Sequence, residues 1–137
     1  MKLHELHARR LEATLSRADE AIHRMESLLM NDEQDGAVRK IENKLSPKSR
    51  ETLLAKLHTL KIMLAGMAES FSLQPHPLDT RRVLNAEIST LWVQLEDCRP
   101  RRMKGYGQQF SQQASAALEE AVEELLQHVL AMRKGLD

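Results

Sequence analysis

The chain holds one cysteine, Cys98, so no disulfide can form within it, and a reducing compartment is expected. Cys98 itself reads as a small apolar member of a helix face. Charge of one sign is also missing. Lysine plus arginine and aspartate plus glutamate number 20 each, so nothing draws the whole chain toward nucleic acid or an anionic bilayer. Any such binding must come from a local patch. Aromatics make up 3% of the residues, and only Tyr106 is interleaved with the basic run near residue 100, which is poor provision for stacking on bases. Long hydrophobic runs are absent. The longest, from Ile62 to Ala68, falls far short of the roughly 20 residues that span a bilayer. The opening Met1-Lys2-Leu3-His4-Glu5-Leu6 lacks the apolar core of a secretion signal, so a soluble, cytoplasmic protein with no membrane contact is expected.

Proline and glycine are scarce and positioned. All four prolines, and every glycine except Gly66, lie outside four long stretches of patterned apolar residues. Those stretches read Leu11, Leu15, Ala18, Ile22, Met25, Leu29; then Leu53, Leu57, Leu60, Leu64, Met67, Phe71; then Leu84, Ile88, Leu91, Leu95, Cys98; then Leu118, Val122, Leu125, Val129, Met132. Alternating steps of four and three keep one stripe on one side of a helix, and that stripe needs a neighbour to cover it. Helices are therefore predicted over 3–30, 47–72, 79–98 and 108–134. Ser46 before Pro47 makes a cap and first-turn pair, and Asp79 or Thr80 can cap the third helix. At ~1.5 Å per residue the helices run roughly 30–45 Å, which are bundle lengths. Between the first two, Val38, Ile41 and Leu45 keep helical spacing and predict a short extra helix.

With 137 residues, 42% apolar and 29% charged, the composition is globular and the length suits one domain. The expectation is all-α: four long antiparallel helices in a bundle, one domain over 1–137. The first helix has a charged outer face, with Glu5 four residues before Arg9 and Glu20 four before Arg24. The backs of the second (Thr52, Ala55, Thr59, Ile62, Gly66, Ser70) and third (Ala86, Ser89, Thr90, Val93) are uncharged and mild. A helix without a charged back usually has something packed on it, so a second copy is the expected partner. Leu126 and Leu130, off the fourth stripe, point the same way.

The best candidate ligand site is the run Arg99-Pro100-Arg101-Arg102-Met103-Lys104-Gly105-Tyr106-Gly107. Guanidinium forks suit carboxylates and phosphates, glycines let backbone N–H groups approach an anion, and a helix N-terminus follows. Arg81 and Arg82 at the start of the third helix are candidates to join Arg99, Arg101, Arg102 and Lys104, and Trp92 and Tyr106 offer contact area. The same cations also have internal partners to hand in Glu96, Asp97 and the acidic fourth helix. Within that helix, Glu119 with Glu123 and Glu120 with Glu124 are like-charge i,i+4 pairs whose mutual repulsion calls for an offsetting cation.

Two short motifs carry resemblances. His58-Thr59-Leu60-Lys61 resembles the core of histidine-containing phosphotransfer domains. That likeness implies an all-helical fold in which His58 accepts a phosphoryl group and Lys61 steadies it. Those domains carry a small residue after the lysine, where this chain has Ile62. Glu120 and Glu123 have the E-x-x-E spacing of the all-helical nucleotide pyrophosphohydrolases, which implies magnesium held by Glu119, Glu120, Glu123 and Glu124; the second acidic segment of that family is missing. Glu20 and His23 match the E-x-x-H of di-iron bundles, but once rather than twice.

The leading expectation is a non-enzymatic interaction module that self-associates and offers loop 99–107 to a small anion or an acidic protein segment, with no cofactor and no metal. The alternatives are phosphotransfer on His58 and magnesium-dependent hydrolysis at the helix-four glutamates.

Overall fold

Helices form where the four apolar stripes run, and each starts at a side-chain cap. The computed structural model describes residues 1–75 and 77–137. In it α1 spans Glu5–Met30, α2 Pro47–Ser70, α3 Thr80–Glu96 and α4 Gln112–Lys134. Ser46 accepts the Ser49 N–H at 3.1 Å ahead of Pro47. Asp79, rather than Thr80, caps α3 by accepting the Arg81 N–H at 3.0 Å. Ser111 accepts the Ala114 N–H at 3.1 Å, which starts α4 at Gln112 instead of residue 108. The first N–H groups of a helix have no intrahelical partner, so these hydroxyl and carboxylate oxygens decide where the helix begins. No helix among the described residues is long and apolar enough to cross a membrane.

The short extra helix expected between α1 and α2 does not form. That segment is a β-hairpin, with β1 (Glu33–Asp35) antiparallel to β2 (Lys40–Glu42) and Gln34 opposite Ile41. Gly36 donates to the Arg39 carbonyl at 2.7 Å to close the turn. Val38, read as part of an apolar helix face, is 100% exposed at the turn, while Ile41 alternates inward between Lys40 and Glu42. The period here is two, not 3.6, and a β-branched residue suits it.

The hairpin is tied back by Asn43. Its side-chain amide donates to the carbonyls of Leu28 (3.2 Å), Leu29 (3.4 Å) and Asn31 (3.2 Å) at the end of α1. Its Oδ1 accepts the Leu45 N–H at 3.1 Å. Asn43→Ala leaves those carbonyls to water and costs about 1 kcal/mol. Asn43→Asp keeps the size but sets a negative charge on the negative end of α1, so the expected loss is larger, about 2 kcal/mol. Urea denaturation of the two variants checks the order; Asp tolerated better than Ala would refute the capping role.

The chain divides into two compact units, Met1–His76 and Pro77–Asp137, each a pair of helices. In the first, Met1 with Ser70, Glu26 with Lys61 and Asp32 with Arg50 pair in opposite order, so α1 and α2 run antiparallel. Ile22, Leu29 and Leu57 are buried between them, with Leu54 and Leu64 against that cluster. In the second, Arg99 with Glu119 and Ser89 with Arg133 set α3 antiparallel to α4, and Ile88, Val122, Leu126 and Val129 are buried. Leu126, expected to face a second copy, is thus a core residue of its own hairpin. The apolar stripes are covered unevenly: along α1 only Met25 of the stripe is exposed, whereas on the other helices covered and exposed members are interleaved. Along α2, Leu57 is buried and Leu64 and Phe71 half-buried, while Leu53, Leu60 and Met67 stay exposed; along α3, Ile88 is buried while Leu84 and Leu91 are exposed.

Candidate ligand site at the turn of the second hairpin

The connection from α3 to α4 turns through a short 3₁₀ helix (Pro100–Arg102) and a glycine-bearing loop. Arg99 opens it, held extended before Pro100, and its side chain folds inward instead of toward solvent. It is 8% exposed, the one buried charged residue among the described residues. Its Nε donates to Glu96 at 2.7 Å, one terminal nitrogen meets Glu123 at 2.6 Å, and the other pairs with Glu119. One planar fork thus joins the end of α3 to two successive turns of α4.

The electrostatics follow from that geometry. The hydrogen bond from Arg99 holds the Glu96 carboxyl below its ordinary range; burial opposes this, and the charges of Arg99, Arg101 and Arg102 add to it. The hydrogen bond that Arg99 donates to Glu96, followed by the one to Glu123, raises the guanidinium further, so it stays charged. Arg99 is also the cation that the repulsion between Glu119 and Glu123 called for. With its donors committed to three carboxylates, Arg99 is a structural pin and offers little to a ligand.

Beyond the pin lies an open groove of about 780 Å³ between the loop and the first turns of α4. Arg101 and Lys104 supply its charge, Met103 and Phe110 its apolar surface, and Gln112 and Ser115 its α4 side. Arg101 stays 67% exposed, with Glu96 at a loose 3.6 Å. Gly105 and Gly107 have φ of +92° and +90°, a backbone region that side chains strain to enter, and a β-carbon at either would meet open space. Their need is therefore conformational: they let the loop curl around the groove.

Of the other candidates, Arg102 and Tyr106 are exposed on the same loop but outside the groove lining. Trp92 is half-buried on α3 and does not line it. Arg81 and Arg82 lie at the opposite end of α3, roughly 25 Å away at 1.5 Å per residue, so they are not brought to the loop. Met103, Phe110 and Gln112 are lining residues that the charge pattern did not mark; their only signal was position, beside the basic run and the Ser111 cap.

In the first hairpin His58 is exposed on α2. Lys61 Nζ lies 2.7 Å from Glu26 Oε1, a charge contact without hydrogen-bond alignment. Ile62, one turn from His58, is 60% exposed. In α4, Glu119 and Glu123 face Arg99 while Glu120 and Glu124 are exposed. Among the described residues no three His, Cys, Asp or Glu side chains converge as a metal site would require. The fold and site together define a predominantly helical protein built of two helical hairpins with a cationic groove at one turn. No known family model, curated protein or solved structure matches the chain.

Proposed function

We propose that this chain is a non-enzymatic interaction module that closes into one four-helix antiparallel bundle over 1–137 and self-associates in the cytoplasm. The observation that carries this is the half-covered stripe. Leu53, Leu60 and Met67 on α2, Leu84 and Leu91 on α3, and Leu125 and Met132 on α4 recur every seven residues and are exposed on their own hairpins. Heptad spacing belongs to a seam that receives another helix, and each hairpin has such a seam to offer. Closing the two seams on one another uses them within one chain. The uncharged backs then remain, with Ile62 at 60% and Val93 at 59% exposure as their largest apolar members. A second copy is the proposed partner for those backs.

Light scattering across a hundredfold concentration range tests the association. Mass is expected to rise toward a dimer, and Ile62→Glu with Val93→Glu to hold the chain monomeric, because a carboxylate buried in an apolar contact is strongly disfavoured. A constant monomeric mass would sink the self-association. The exposure of His58 favours one second reading, acceptance of a phosphoryl group at its imidazole, with Lys61 as phosphate partner only if Glu26 releases it. Incubation with acetyl phosphate separates the readings: acid-labile label on His58 supports the second and is not expected under the first.

A further inference from the structure

The groove at the turn of the second hairpin combines features that a simple anion site does not need. Its two exposed cations, Arg101 and Lys104, lie on the loop side. Met103 and Phe110 give it an apolar surface, and Phe110 is 45% exposed. Of the first three N–H groups of α4, only that of Ala114 is capped by Ser111, which leaves a positive helix end at the groove's α4 side. The lining holds two cations, Arg101 and Lys104, against one carboxylate, Glu119, which shares Arg99 with Glu96 and Glu123, so the lining itself carries a net positive charge. At about 780 Å³ it has the size of a cleft that takes a drug-sized or peptidic group, and a single phosphate would leave most of it empty and its apolar part unused.

We infer that this groove receives a short acidic peptide segment of a partner protein, in which carboxylates flank one apolar side chain. The carboxylates meet Arg101, Lys104 and the open end of α4, and the apolar side chain covers Met103 and Phe110. This inference rests on the interaction-module reading and gives its second surface a ligand class. Guanidinium and ammonium groups supply charge complementarity to carboxylates, while the aromatic and thioether groups provide the contact that separates a peptide from an inorganic ion. Nucleic acid fits less well, since Tyr106 is outside the groove and no row of cations tracks a backbone.

Fluorescence anisotropy on the full chain tests this with a labelled acetyl-Asp-Glu-Leu-Glu-Asp peptide, its leucine-to-serine form and its fully amidated Asn/Gln form. Binding of the first is expected to weaken at least about fivefold in the serine and amide peptides, in Arg101→Gln/Lys104→Gln, and in Phe110→Ser. Equal binding to the double variant, equal displacement by the same concentration of inorganic phosphate or of a single-stranded oligonucleotide, or no binding at millimolar peptide would each overturn the inference. None of these substitutions touches Ile62 or Val93, so the scattering mass is expected to stay that of the unsubstituted chain. Peptide binding by a strictly monomeric chain would remove the self-association reading alone, and lost peptide binding with intact association would remove this one alone.

Discussion

Arg99→Met lowers the melting temperature by about 5–10 °C, the largest effect expected of any charged residue in this chain. Arg99 is nearly covered and touches Glu96, Glu119 and Glu123 together. Removing it leaves three carboxylates facing one another at the end of the second hairpin. Breaking a covered ion pair from one side is costly because the remaining charge keeps its desolvation and loses its partner. The loss is moderated because Glu119 and Glu123 are about half exposed and water screens them. Adding Glu119→Gln and Glu123→Gln to Arg99→Met is expected to restore most of the melting temperature, which a mere loss of arginine packing would not do. The pH dependence has a definite sign. Arg99 holds Glu96 below its ordinary value of 4.5, so its contribution is present above that pH and is lost as pH falls through the lowered value. The gap between the unsubstituted chain and Arg99→Met should therefore narrow below about pH 4.5. A gap that stays constant down to pH 3 would mean that Arg99 acts through packing alone.

How much of this was legible in the sequence depends on the range of the interactions. The four helices follow from local periodicity and from Ser46, Pro47 and Asp79, and they lie where those residues put them. The segment after α1 misled because Val38, Ile41 and Leu45 happen to keep a three-four spacing, whereas the Gly36 turn and the Asn43 staple select a hairpin. The repulsion between Glu119 and Glu123 correctly called for a cation, yet which one could not be read. Arg99 lies 20 residues before Glu119 in the chain, and only the turn through Pro100–Arg102 brings them together. The basic run offers both a ligand site and internal partners in Glu96, Asp97 and the acidic fourth helix, and local charge cannot distinguish an arginine that folds inward from one that stays out. Arg101 carries the same guanidinium as Arg99 and differs in which way the loop turns it. Nor does composition mark a groove, since its apolar part comes from Met103 and Phe110, two residues in an otherwise polar stretch.

The finest distinction lies between two adjacent leucines on α4. Leu125 sits on the stripe through Leu118, Val122, Val129 and Met132, and the spacing made it the core residue. The structure reverses the pair: Leu126 is 2% exposed and Leu125 49%. A stripe of alternating three and four steps contains two interleaved sets seven residues apart, and periodicity does not say which set a neighbouring helix takes. On α4 the pairing with α3 takes Val122 and Val129 and rotates far enough to draw in Leu126, leaving Leu125 and Met132 outside. Leu126→Ala is therefore expected to cost about 2–5 kcal/mol, since its side chain is enclosed and the hole it leaves cannot fully collapse. Leu125→Ala, on the outer set, should cost less than half as much, because about half of its side chain is already exposed in its own hairpin. Guanidinium denaturation of both variants measures this, with an unchanged slope required for the comparison to hold. Equal losses would mean that the outer set is enclosed as deeply as the inner one.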